Sequence, residues 1–224
     1  MKTRVGEMEK PMEKYWEMRL EQCRQALEEN NFGAYVVADP EGARDLVLRE
    51  IIPDTGGTRI SWGGSVTLAA TGLVEHFRTS PEYDLIETFD ASVTRDVIME
   101  RRRNALTVDL FLSGTNAVTE TGMLVNLDMI GNRVGGMVFG PDTVIIVAGR
   151  NKIVPGLDEA MKRIRTLAAP ANAIRLGKKT PCVHTSTCSD CRSSDRICNV
   201  WTIHEKSYPK GRIKVILINQ DLGL

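Results

Sequence analysis

The 224-residue chain has no excess of either charge. Twenty-nine Lys and Arg stand against 29 Asp and Glu, for a formal net charge of +0. Wrapping nucleic acid takes a basic face, so this balance argues against such a partner while leaving room for a local basic patch. No apolar run nears the roughly 20 residues that cross a bilayer. Met1 to Glu9 mix charges and hold no apolar signal core. No repeat, low-complexity tract or linker divides the chain, and it has no Asn-X-Ser/Thr acceptor. Cysteine is missing from most of the length. There are five, Cys23 and then Cys182, Cys188, Cys191 and Cys198. A secreted disulfide scaffold is small and spreads its bridges along the chain. These absences together lead us to expect a cytoplasmic protein in a reducing compartment.

What is present is the composition of a folded globule, 42% hydrophobic and 26% charged. Met12, Tyr15, Trp16, Leu20, Cys23 and Leu27 recur near helical spacing, which predicts a helix from Pro11 to about Asn30. Short apolar runs predict strands at 34–38, 59–62, 84–89, 108–113, 143–148 and 212–219, with 123–127 able to pair back across Thr121-Gly122. Helical stretches fall between them at 41–51, 65–77, 92–105, 128–139 and 157–167, with a shorter one after Pro170. Strands alternating with helices predict an α/β fold, a mostly parallel sheet of six or seven strands flanked by helices. We divide the chain into an N-terminal helix, 1–32, packing on a single α/β domain, 33–224. A polar, weakly periodic, cysteine-rich insertion occupies about 177–211.

Ligands of open α/β sheets collect at the carboxyl ends of strands, and three loops qualify. In the first, Gly63 and Gly64 let a ligand approach the backbone. Ser65 then caps a helix whose N-terminus favours an anion. This loop is neither a Walker A nor a Gly-x-Gly-x-x-Gly motif, so neither ATP nor NAD follows from it. The second, Gly114 to Gly122, offers Thr115, Asn116 and the carboxylate Glu120, a candidate general base or nucleophile. The third, 148–152, offers Arg150 and Lys152 to hold a phosphate or carboxylate. Asn126, Asp128, Asn132 and Arg133 form a further polar group that could line the same cleft. The bland alternatives are a tight turn, a hairpin with a solvated Glu and a solvated Lys. The Arg101-Arg102-Arg103 run reads as a cationic end facing a helix dipole.

The cysteines follow the spacing C-x5-C-x2-C-x6-C. Cys188 and Cys191 have the two-residue gap that lets two thiolates reach one metal, and four sulfurs saturate a tetrahedral zinc or a cubane iron–sulfur cluster. The alternative is a loop of free thiols or a redox-labile pair. The spacing matches neither the bacterial ferredoxin run nor a common zinc finger.

DLFLSGTNAVTETG at 109–122, Leu124-Val125-Asn126, Gly131-Asn132-Arg133 and VAGRNKIVP at 147–155 resemble the lactate-utilisation (LUD) domain family. So do AAPAN at 168–172, Thr180-Pro181-Cys182 and DRICN at 195–199. The resemblance covers about Ser61 to Leu222. It implies a fold of the NagB/ribose-phosphate isomerase/CoA-transferase kind. It also implies an accessory role in oxidation of lactate to pyruvate beside an iron–sulfur partner protein. Larger members carry ferredoxin-type cysteine runs, and this chain does not, so it should not be the main electron conduit. An independent enzyme of the isomerase, cyclo-ligase or CoA-transferase type, or a protein that binds an anion without turnover, stays open. So does a homo-oligomer.

Overall fold

The computed structural model describes residues 5–224, with side chains from Lys10 onward. The Met1–Glu9 segment, read above as lacking a signal core, therefore lies outside the described residues as far as its side chains go. Ten strands occur among the described residues: β1 Gly33–Val37, β2 Arg59–Trp62, β3 Asp84–Ile86, β4 Leu110–Gly114, β5 Ala117–Thr119, β6 Leu124–Asp128, β7 Thr143–Gly149, β8 Ile153–Val154, β9 Val200–His204 and β10 Ile213–Ile218. The helices are α1 Val5–Glu29, α2 Pro40–Leu46, α3 Ile52–Thr55, α4 Val66–Ala70, α5 Leu73–Thr79, α6 Arg95–Asn104, α7 Asn132–Val138, α8 Leu157–Arg163, α9 Ala169–Arg175 and α10 Cys182–Thr185.

Six strands make one sheet in the order β1-β10-β7-β4-β2-β3, and every neighbouring pair is parallel. Its strands are covered on both faces, as a parallel sheet requires. Along β7, Val144, Ile146 and Ala148 pack on one side with Leu20, Cys23 and Leu27 of α1. Ile145 and Val147 pack on the other with Leu68 of α4 and Leu73 and Phe77 of α5. β10 divides its residues in the same alternating way. This is the α/β architecture the strand pattern predicts.

A second, mixed sheet, β8-β5-β6-β9, was not expected. β5 and β6 form the anticipated hairpin, and β9 adds antiparallel to β6 within the weakly periodic, cysteine-rich segment, where no strand was expected. β9 carries exposed Val200 and Ile203, so it lacks the continuous apolar run that marked the buried strands. Helix α1 also begins earlier than expected, and Pro11 lies inside it rather than at its start. Among its described side chains Leu20, Cys23 and Leu27 are fully buried, whereas Met12 and Tyr15 are exposed.

The chain passes from β2 outward to β3, then returns to the other side of β2 as β4 and continues to β7 and β10. The connection changes direction between β2 and β4. That is the switch point where open parallel sheets leave a crevice beyond their carboxyl ends. The second sheet starts two residues after β4 and stands over this rim.

Candidate functional site

A cleft of about 690 Å³ opens at that switch point. Its floor comes from Gly64 and Ser65 after β2, Gly114, Thr115 and Asn116 after β4, and Lys152 after β7. Leu127 and Asp128 of the second sheet and Asn132 and Arg133 of α7 form one wall. Arg95, Met99 and Arg102 of α6 and Asn172 and Arg175 of α9 face it from further out.

The loop after β4 is held by three cations on three successive carbonyls. Arg133 Nη1 donates to Gly114 O at 3.0 Å, Lys152 Nζ to Thr115 O at 3.1 Å, and Arg163 Nη1 to Asn116 O at 2.7 Å. Arg133 also donates to Asn126 Oδ1 at 2.7 Å and Asn116 Oδ1 at 3.1 Å, and its Nε lies 3.5 Å from Asp128 Oδ1. The two asparagines lock the hairpin: Asn116 N–H donates to Asn126 Oδ1, and Leu127 N–H donates to Asn116 Oδ1. Carbonyls and amides thus draw positive charge into a buried place, where an anion in the cleft would feel it with little screening.

Lys152 is buried and also donates to Thr67 Oγ1 at 2.9 Å. Burial, with Arg163 and Arg133 adding repulsion, pushes its pKa down from 10.5 to about 7. Burial also pulls Arg133 below the usual guanidinium value, opposed by Asp128. Ser113 Oγ, Asn126 Nδ2 and Asp128 Oδ2 are buried with no hydrogen-bond partner among the described residues. Behind the floor, Gly63 is needed for close approach. A Cβ there would stand 2.6 Å from Arg133 Cγ and 2.9 Å from Ser113 Oγ.

Of the residues expected to bind a ligand, Gly64, Ser65, Thr115, Asn116, Asn132 and Lys152 all line the cleft. Gly63 and Asn126 lie behind it, as packing space and hydrogen-bonding support. Glu120 does not reach it. The carboxylate sits at the far end of the hairpin, 2.7 Å from Arg19 Nε of α1, and it is not among the lining residues. β5 takes up 117–119 and turns the loop away from the sheet rim. The anion-holding helix expected after Ser65 is also shorter than the pattern suggested. Ser65 does cap α4, accepting from Leu68 N–H at 3.1 Å, but α4 ends at Ala70 and Gly72 breaks the chain before α5. Positive charge in the cleft therefore comes from side chains. Arg95 was not singled out, and Arg102, which lies in the basic last turn of α6 as expected, also lines the cleft; Arg95, Met99 and Arg102 recur at i, i+4 and i+7, one face of a helix. Among the described residues, no three His, Cys, Asp or Glu side chains are already arranged to hold a metal ion.

A wholly parallel, doubly covered sheet with a cationic cleft at its switch point defines the class, an α/β protein. The particular family follows from comparison: the LUD domain family model matches residues 20–218, and the chain belongs to that family. No curated protein matches it. Among solved structures it is similar to a DUF162 family protein from Deinococcus radiodurans, at 15% identity and a TM-score of 0.49, over 91% of this chain and 98% of that one.

Proposed function

We propose that this chain is a cytoplasmic lactate-utilisation protein that binds lactate or pyruvate in the cleft. It serves there as an accessory subunit of iron–sulfur-dependent lactate oxidation. The observation that carries the reading is the convergence of Lys152 on the floor and Arg133 on the wall of a switch-point cleft, within a LUD-family chain. A carboxylate suits these cations, and Asn116 and Asn132 offer amides to a 2-hydroxyl or 2-keto oxygen. Oxidising lactate removes two electrons and two protons. The chain's part is to hold the acid; the two electrons pass to the iron–sulfur partner protein, and the two protons are released to solvent. A cleft of this volume holds more than a three-carbon acid, leaving room for that partner's acceptor group.

Isothermal titration with lactate and pyruvate, set against acetate and glycerol, tests the ligand, and capture from the native host tests the partner. Binding of the two acids with retention of an iron–sulfur protein is the expected result. No binding of either acid would exclude the ligand, and capture without an iron–sulfur protein would exclude the accessory role. One observation favours a second reading, an independent enzyme on an anionic substrate: Lys152, neutralised near pH 7, could itself accept a proton. Turnover by the isolated chain that Lys152→Met abolishes would select that reading.

A further inference from the structure

Away from the floor of the cleft, Cys182, Cys188, Cys191 and Cys198 all line one small cavity of about 20 Å³. They are free thiols, each partly buried. They arrive from different pieces of chain. Cys182 opens α10, Cys188 and Cys191 lie in a loop without regular structure, and Cys198 stands just before β9. Hydrophobic packing does not account for this meeting. Between 182 and 199 Ile197 alone is buried, so the segment has no core of its own.

We propose that the four thiols form a thiolate metal site, for zinc or an iron–sulfur cluster, and that the bound metal sets one wall of the neighbouring cleft. The surroundings are those of such a site. Arg196 braces it, donating to Cys198 O at 2.8 Å, to Cys191 O at 2.6 Å and to Asp190 Oδ1 at 2.7 Å. One guanidinium thus ties together the backbone at two of the sulfurs, and its charge stands beside what would be an anionic centre. The Thr180 hydroxyl lies 3.2 Å from Cys182 Sγ and can donate to it, the kind of outer contact that orients a metal ligand. Asp190, next to Cys191, and Ser186 hold left-handed backbone conformations, with φ of 48° and 51°.

Thiolates are soft donors that select zinc or iron–sulfur clusters over hard cations. On binding, each thiol loses its proton and its sulfur lone pair goes to the metal. Because no three ligands are already arranged for an ion, binding must draw the sulfurs inward. The loop between them, with exposed Ser189 and Arg192, is free to follow.

The link to the cleft is Ile197, which lines both spaces, while Ser194 and Asp195 line the cleft beside it. Asp195 Oδ2 accepts from Lys179 N–H at 2.9 Å, and the Ser193 hydroxyl donates to Lys179 O at 3.0 Å. The strip from 193 to 198 therefore runs along the cleft and ends at a thiol, so pulling that thiol onto a metal fixes the strip.

The test is elemental and sulfide analysis, with a visible spectrum, of anaerobically purified full chain. It is accompanied by alkylation of its thiols and titration with pyruvate before and after chelation. About one zinc per chain, or iron with matching acid-labile sulfide and a brown colour, is expected, and Cys188→Ser with Cys191→Ser should abolish it. If that variant fails to fold, the wild-type protein still decides. A chelator should expose four thiols to alkylation and weaken pyruvate binding several-fold. A protein that carries no metal and takes up neither zinc nor reconstituted iron and sulfide overturns the site, as does metal retained in the double variant. Metal binding with unchanged pyruvate affinity after removal overturns the link to the cleft. Metal content is read without any ligand, so failure of the lactate reading and failure of the site are distinguishable.

Discussion

At the scale of residues, Lys152 and Arg133 divide the work of the cleft. Lys152 has a folded pKa of about 7 against an ordinary 10.5. Between those values the unfolded chain holds a proton that the folded chain has shed, so stability rises with pH from about 7 to 10.5. Urea melts at pH 7 and pH 9 should show it, and Lys152→Met should flatten the difference. Anion affinity runs the opposite way. Below pH 7 the ammonium is present to pair with a carboxylate, and above it the dissociation constant should climb by up to about tenfold per pH unit. Titration of pyruvate at pH 6 and pH 8 measures this, and affinity unchanged between them would remove Lys152 from the site. Arg133 is structural as well as electrostatic. Arg133→Met leaves Asp128, the Gly114 carbonyl and the side-chain oxygens of Asn116 and Asn126 without their cation, and should cost about 3–5 kcal/mol in denaturant melts. Gly63→Ala presses on the Arg133 stem and should cost about 1–3 kcal/mol by the same measurement.

At the scale of elements, the β5–β6 hairpin connects the cleft to α1. Its near end presents Asn116, Asn126 and Asp128 to Arg133, and its far end meets α1 through Glu120 and Gly122. Glu120→Gln removes a partly exposed ion pair with Arg19 and should change stability by less than about 1 kcal/mol. Pyruvate binding should be untouched, and a loss of it would return Glu120 to the site. Gly122→Ala differs sharply. At φ 79° its Cβ would collide with the Ala26 carbonyl group of α1, so the helix must move off or the turn must distort. A destabilisation of about 2–4 kcal/mol in melts is expected. Here the limits of the sequence are plain. The Gly114–Gly122 stretch is polar and turn-rich, and it reads as a loop that carries Glu120 toward the strand ends. Three small residues, Ala117, Val118 and Thr119, instead form a buried strand because β6 and β8 complete their hydrogen bonds. The pairing with β6 is the hairpin that the Thr121-Gly122 turn announces, whereas the pairing with β8 is made across sequence distance and no local pattern records it.

At the scale of the whole molecule, the cleft is bounded by pieces of both sheets and by α6, α7 and α9, so an anion held there would bridge several elements at once. A ligand at a hundred times its dissociation constant stabilises the folded state by about 2.7 kcal/mol. For a chain of this size that corresponds to a rise in melting temperature of roughly 5–10 °C. Thermal melts with saturating pyruvate should show it, and Lys152→Met should lose most of it.

The sequence by itself determined the α/β alternation, the apolar strands of the sheet, the Ser65 cap, the hairpin and most of the floor of the cleft. These are written in local periodicity and in turn residues. It also carried the LUD resemblance and the four-cysteine spacing. The tertiary structure alone decided the rest. Strand order places the switch point between β2 and β4, and so selects which strand-end loops meet. Burial turns Lys152 from a solvated cation into one whose proton is labile near pH 7. The helices bring Arg95, Arg102 and Arg175 to a wall that no contiguous motif marks. The physical reason is common to all three: order, burial and field are properties of neighbours in space, and a neighbour in space is seldom a neighbour in the chain.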